Sequence, residues 1–251
     1  MLKLRVSGAG QDKPVLVLLH GWGMGAAVWS RLTPLLSDRY QLMELDLPGY
    51  GDNVDVAADS LVDVAQQVSA VVPAGATWLG WSLGGMVALQ AASDPTIKMS
   101  RLILVASSPR FVRDDDWPHA MAAEQLSLFA DGLLADVDTT LKRFVALQFY
   151  GQDDAREISR SLQKSVIGQP VNKDALSLGL EMLASEDLRQ IYAGLKTPIQ
   201  HVYGAMDKLV PVKVSEDLSA LNPAVEQVVF KGVGHAPFVS HPKMFVERLG
   251  L

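Results

Sequence analysis

The chain has no cysteine among its 251 residues. That excludes disulfides, thiolate metal sites and cysteine nucleophiles together. Positive charge is in deficit: 22 Lys and Arg face 28 Asp and Glu, a formal net charge of −6 at pH 7. Such a balance speaks against a general nucleic-acid binder. No apolar run is long enough to span a bilayer. Met1–Val6 alternates apolar and basic residues, a strand pattern that lacks the apolar centre of a secretory leader. The five histidines show no paired ligand spacing, so no metal is expected; no feature of the chain calls for an organic cofactor, and none is expected. The expectation is a cytoplasmic, monomeric, globular protein with neither nucleic-acid nor membrane partners. About half the residues are apolar and a fifth charged, enough for a sizeable core in one large domain or a core with an insertion.

Against these absences stands Gly80-Trp81-Ser82-Leu83-Gly84-Gly85. It follows the apolar run Thr77–Leu79 and precedes a helical pattern from Met86 to Ala92. The reading is strand, sharp turn, helix, with a serine at the apex and glycine two residues away on each side. A serine held on such a turn sits in strained backbone, and bulkier flanking residues would collide with the strand and helix they join. A helix beginning at Ser82 also aims backbone N–H groups and the positive end of its dipole at any oxyanion formed there.

Elsewhere the chain alternates strands and helices. Val15–Leu19 is a continuous apolar run, as expected of a strand covered on both faces, and ends in His20-Gly21-Trp22-Gly23. Helical spacing over 27–36 follows, then a strand over Gln41–Leu45 that ends at Asp46-Leu47-Pro48-Gly49. A helix over 61–72, the Ser82 unit and a strand over 101–106 come next. Alternation then stops. Four helical patterns, over 120–134, 138–148, 153–167 and 173–183, are interrupted by Pro118, Gly151 and Pro170. Alternation resumes with strands over 199–203 and 225–230 and helices over 212–221 and 242–249. This pattern predicts an α/β fold, a mostly parallel sheet with helices on both faces. Its core would be residues 1–109 and 187–251, and residues 110–186 would form a helical cap.

In open parallel sheets functional groups collect beyond the carboxyl ends of the strands. Reading those ends gives His20-Gly21-Trp22, Asp46, Ser82, Ser107-Ser108, Asp207 and Gly234-His235. Ser82 needs a base, and His235 follows the last strand. The imidazole needs an acceptor on its far nitrogen, and Asp207 follows the strand before. His20 is the rival base, better read as a brace of its glycine loop. Asp46 is the rival acid, better read as a turn-former before Pro48-Gly49. Ser82, Asp207 and His235 would be the catalytic set, with the N–H groups of Leu83 and Trp22 as oxyanion donors.

These stretches, with Gly204-x-x-Asp207, resemble the motif set of the α/β-hydrolase superfamily over nearly the whole chain. More narrowly, Leu18–Gly23, Trp78–Gly85, Val105–Pro109, Arg143–Gln148 and His235–Pro242 resemble the pimeloyl-[acyl-carrier protein] methyl ester esterases of biotin synthesis. The resemblance implies serine ester hydrolysis through an acyl-enzyme. It also implies substrate-binding residues Trp22, Ser82, Leu83, Phe144, Val145, Ala146, Leu147, Gln148 and His235, with an acyl pocket lined by Trp22, Trp81 and the cap, chiefly Phe144, Leu147 and Gln148. On spacing alone, Phe144 and Leu147 read equally as cap-to-core packing. Arg156, Arg160 and Lys164 recur every four residues and so share one helix face, near Lys142 and Arg143. Charge pattern alone allows a solvated face paired to Asp153 and Glu157. The resemblance implies that Arg143, Arg156 and Arg160 contact an acidic acyl-carrier protein. The motifs also fit a broad short-chain carboxylesterase acting on small esters, or a small-molecule receptor on the same fold with little turnover. Asp52-Asn53 departs from the superfamily, where a serine is common after Pro-Gly-x-Gly, without catalytic consequence.

Overall fold

The computed structural model describes every residue except Ala9, Gln11 and Ile167, and only the backbone of Ser165 and Val166. Its strands are β1 (Leu4–Ser7), β2 (Val15–Leu19), β3 (Gln41–Leu45), β4 (Ala76–Trp81), β5 (Met99–Val105), β6 (Ile199–Gly204) and β7 (Glu226–Phe230). They form one sheet in the order β1-β3-β2-β4-β5-β6-β7. β1 runs antiparallel to β3, and all other pairs are parallel. Four of the five β2 residues are buried, as its unbroken Leu/Val composition demands of a strand covered on both faces.

The helices are α1 (Thr33–Leu36), α2 (Leu61–Ser69), α3 (Leu83–Ala92), α4 (Ala123–Ala135), α5 (Val137–Gln148), α6 (Ala155–Val166), α7 (Lys173–Ser185), α8 (Arg189–Gly194), α9 (Val214–Leu221), α10 (Pro237–Ser240) and α11 (Pro242–Leu249). Helices α4 to α8 lie in sequence between β5 and β6. α2 starts where Ser60 caps it by accepting from Asp63 N at 3.2 Å; α5 starts at Asp136, which accepts from Thr139 N. Each cap satisfies a donor that the first helical turn leaves without an intrahelical partner.

Three differences from the sequence reading have physical causes. The helix expected over 27–36 is a 3-10 helix, Ala26–Arg31, followed by the short α1 with Pro34 in its first turn. Asp46 Oδ1 accepts from Ala26 N at 2.6 Å and fixes the entry. α8 and α10 leave no helical signature in the sequence because each is under two turns long, too short for a helical period to register. The helix at Ser82 begins one residue later, with Ser82 as its N-cap.

Register aligns the strand ends. Leu19 pairs with Gly80, Gly80 with Leu104, Trp81 with Val105, Val105 with Val202 and Gly204 with Phe230. The loops after β2, β4, β5, β6 and β7 therefore emerge along one edge of the sheet. Chain order changes direction at β2 and β4, the crevice in which open α/β sheets bind ligands.

Candidate active site

Ser82 lies at the switch between β4 and α3 with φ 55° and ψ −120°. A non-glycine residue there carries strain of about 1–3 kcal/mol, held in place by the elements around it. Ser82 N donates to Val105 O at 2.9 Å and Ser82 O accepts from Ser107 Oγ at 2.8 Å. The glycines explain themselves sterically. A side chain at Gly80 would overlap Gly84 and Gly85, and one at Gly84 would overlap the backbone of Leu19 and His20. A Cβ at Gly21 would stand 3.1 Å from Ser82 Cβ, so the loop after β2 passes directly beside the serine.

His235 Nδ1 donates to Asp207 Oδ2 at 2.7 Å, with both side chains wholly buried. The other oxygen, Asp207 Oδ1, accepts from Leu209 N at 2.8 Å and Val210 N at 3.0 Å. The carboxylate is thereby clamped by its own loop and presents one oxygen to the ring. Nδ1 carries the proton, so Nε2 presents a lone pair. That Nε2 is buried and has no hydrogen-bond partner among the described residues. The Ser82 hydroxyl therefore does not close the third link in this form. His235 is placed by its backbone: its N donates to Gln148 O and its O accepts from Trp81 Nε1, both at 2.9 Å.

Leu83 N and Trp22 N donate to no acceptor among the described residues. Trp22 is itself fastened to α7, its Nε1 donating to Leu176 O at 2.8 Å. Phe144 meets the Trp22 ring edge-on at 4.8 Å between centroids, and Phe129 meets Phe144 at 5.2 Å. Phe129, on α4, was not singled out by sequence; only its half-buried place on an amphipathic helix marks it. Of the other residues expected to line the pocket, Val145 and Gln148 are buried, Leu147 is half-buried and Ala146 is exposed. Ala146 therefore faces solvent in this form. Ser82 is 3% exposed and His235 not at all.

The rival residues have other work. His20 Nε2 accepts from Leu47 N at 2.9 Å, so its proton is on Nδ1, which donates to Gly21 O at 2.8 Å. The ring ties the β2 loop to the β3 loop. Burial lowers its basicity. Asp46 accepts from Ala26 N, Asp52 N and Arg5 Nη2, a turn-former's set of partners.

Sequence reasoning also passed over His201 on β6. Its Nε2 donates to Ser107 O at 2.8 Å, and Ser107 in turn holds Ser82 O. Burial pushes its pKa down to about 4 from 6.5. The unfolded chain takes up this proton near 6.5, so between these limits the unfolded state binds more protons. Stability falls as pH drops from about 6.5 to about 4, by about 3 kcal/mol from this group, and levels off below. His20 adds a loss of the same sign. Chemical denaturation at stepped pH checks it: His201→Gln is expected to show a shallower slope over this window than wild type.

The family model described as the alpha/beta hydrolase family matches residues 16–248. A curated relative from Klebsiella pneumoniae, a pimeloyl-[acyl-carrier protein] methyl ester esterase, is 45% identical over 96% of this chain and 93% of its own. One of the same name from Photobacterium profundum is 43% identical over 98% of this chain and 95% of its own. Among solved structures, an esterase from Exiguobacterium antarcticum superposes with a TM-score of 0.88 at 21% identity, covering 99% and 94% of the two chains. The enol-lactonase from Burkholderia xenovorans LB400 gives 0.84 at 18%, covering 99% and 95%. These last two speak to the fold alone. The chain belongs to the alpha/beta hydrolase family.

Proposed function

We infer that the protein is a serine carboxylic ester hydrolase that cleaves the methyl ester of pimeloyl-acyl-carrier protein, freeing the pimeloyl carboxylate for biotin synthesis. The observation that carries this is identity of 39–45% over nearly the full length to curated esterases of that name. The site geometry supports the chemistry. His235 Nε2 takes the proton of Ser82 as Oγ attacks the ester carbonyl. Asp207 holds the imidazolium that results. The N–H groups of Leu83 and Trp22 take up the oxyanion, each such donor contributing about 3 kcal/mol in the transition state. The proton returns to the departing methanol. Water then attacks the acyl-enzyme, with His235 again as base, and the carboxylate leaves with Ser82 restored.

In this reading residues 110–186 act as a cap over a core of 1–109 and 187–251. Trp22, Phe144 and Gln148 belong to the acyl pocket. Arg143, Arg156 and Arg160 are exposed on α5 and α6. No ion pair among the described residues engages them, nor Lys142 or Lys164, so the pairing to Asp153 and Glu157 that a solvated face would have is not formed. Unpaired exposed cations suit an acidic carrier surface, with steering that weakens in salt.

The test compares the carrier-bound methyl ester with a short free methyl ester. Wild type is expected to prefer the carrier-bound ester. Arg156→Glu with Arg160→Glu is expected to lower the ratio of the two kcat/KM values at least tenfold at low salt, and less at high salt. A wild-type enzyme that hydrolyses only the short ester would instead be a general carboxylesterase. Equal losses on both esters would return the arginines to an ordinary solvated surface.

A further inference from the structure

The turn between α5 and α6 holds a buried polar group that the mechanism above does not use. Gln152 is 8% exposed, and both its Nε2 and its Oε1 lack hydrogen-bond partners among the described residues. Gln148, one turn earlier and 1% exposed, has the same deficit in both amide atoms. Buried amides left unpaired are costly, and native proteins rarely keep them without a ligand or water to complete them.

Their position limits what completes them. A Cβ built at Gly234 would lie 2.9 Å from Gln152 Nε2, so this amide rests on the loop that carries His235. Gln148 O accepts from His235 N itself. A Cβ at the neighbouring Gly151 would stand 2.7 Å from Met206 Cε, next to Asp207. The turn thus sits across the two loops that supply acid and base. In the other direction it leads outward. Gln152 stands in the turn four residues before Arg156, and along α6 Arg156, Arg160 and Lys164 follow at intervals of four, each step about 6 Å along the helix axis. Gln152 O accepts from Ala155 N at 3.2 Å, which joins the turn directly to α6. The row runs from exposed cations to a buried amide against the catalytic histidine's loop.

A primary amide offers two donors and an acceptor. A fatty ester chain has nothing for the donors away from its carbonyls and nothing at all for the acceptor. The arm on which acyl-carrier proteins hold acyl groups has both: a thioester, secondary amides with N–H and C=O, and a phosphodiester at its far end. We propose that Gln152 binds a secondary amide of that pantetheine arm where it passes from the arginine face to Ser82, with Gln148 beside it. The proposal rests on the carrier-bound substrate reading of the previous subsection. Gln152 then serves to recognise the arm rather than the pimeloyl chain.

The test uses the methyl ester of pimeloyl-S-pantetheine, which has the arm without the carrier, and dimethyl pimelate, which has neither. Gln152→Leu keeps the bulk and removes the hydrogen-bonding atoms. It is expected to lower the ratio of kcat/KM for the pantetheine ester to that for dimethyl pimelate about tenfold, through KM. Gln152→Glu, which keeps an acceptor but loses the donors, is expected to fall between. Hydrolysis of dimethyl pimelate reports in the same sample whether each variant has folded. An unchanged ratio in Gln152→Leu, with wild type still preferring the pantetheine ester, would overturn the assignment alone. A wild type with no preference for pantetheine or carrier-bound ester would overturn the carrier reading and this assignment together.

Discussion

Ser82→Ala is expected to lower kcat for ester hydrolysis by roughly 10^5 to 10^6-fold, the scale on which serine hydrolases lose activity when the nucleophile goes. The loss should come without loss of fold. Ser82 is held through its backbone, by Val105 O and Ser107 Oγ, and its hydroxyl makes no hydrogen bond among the described residues. Alanine keeps the Cβ and therefore the same strained φ, so thermal midpoints should agree within a degree or two. Binding of the uncleaved ester should survive as well, which makes the variant a trap for the carrier complex. Stopped-flow release of methanol and a calorimetric melt on the same preparation decide it. Activity within a hundredfold of wild type would mean that Ser82 is not the nucleophile.

The second large effect concerns Asp207→Asn, expected to reduce kcat about 10^4-fold. The reason lies in the clamp. Leu209 N and Val210 N both donate to Oδ1, so an asparagine must turn its carbonyl oxygen towards them. Its NH2 then faces His235 Nδ1. Two donors cannot share that 2.7 Å contact, and the ring shifts its proton to Nε2, where it can no longer accept from serine. The variant should fold, because the loop keeps its acceptor. Its activity should rise steeply with pH where hydroxide replaces the missing base. A variant retaining more than a tenth of wild-type kcat at pH 7.5 would exclude Asp207 from the catalytic set.

Much of this site was legible before any coordinates because glycine and strand ends are local signals. Gly80 and Gly84 are required by contacts with their own β4–α3 unit and with β2, and those contacts follow from packing a helix immediately behind its strand. From their loops His20 reads as a brace and Asp46 as a turn-former, and their hydrogen bonds agree. Illegible were the residues whose meaning is tertiary. His201 reads in sequence as one polar residue in a buried strand; only the β5–β6 register brings it under Ser107. Gln152 reads as a polar turn residue, and nothing local says that Gly234 covers it. Over 27–36 the sequence reads as an α-helix where the fold has a 3-10 helix, because apolar spacing cannot tell the two apart when a carboxylate elsewhere sets the entry.

The hydrogen bond from Trp22 to α7 has a consequence for how such an enzyme can change over time. Trp22 supplies a candidate oxyanion donor from its backbone while its indole is tied to the roof, and Gly179 leaves the space into which that indole fits, since a Cβ there would lie 2.6 Å from Trp22 Cδ1. A side chain at Gly179, or a shift at Leu176, would move the loop beside the candidate nucleophile. Selection for a new substrate therefore meets a fixed point there, and variants that reach new esters should be found around it, not at it.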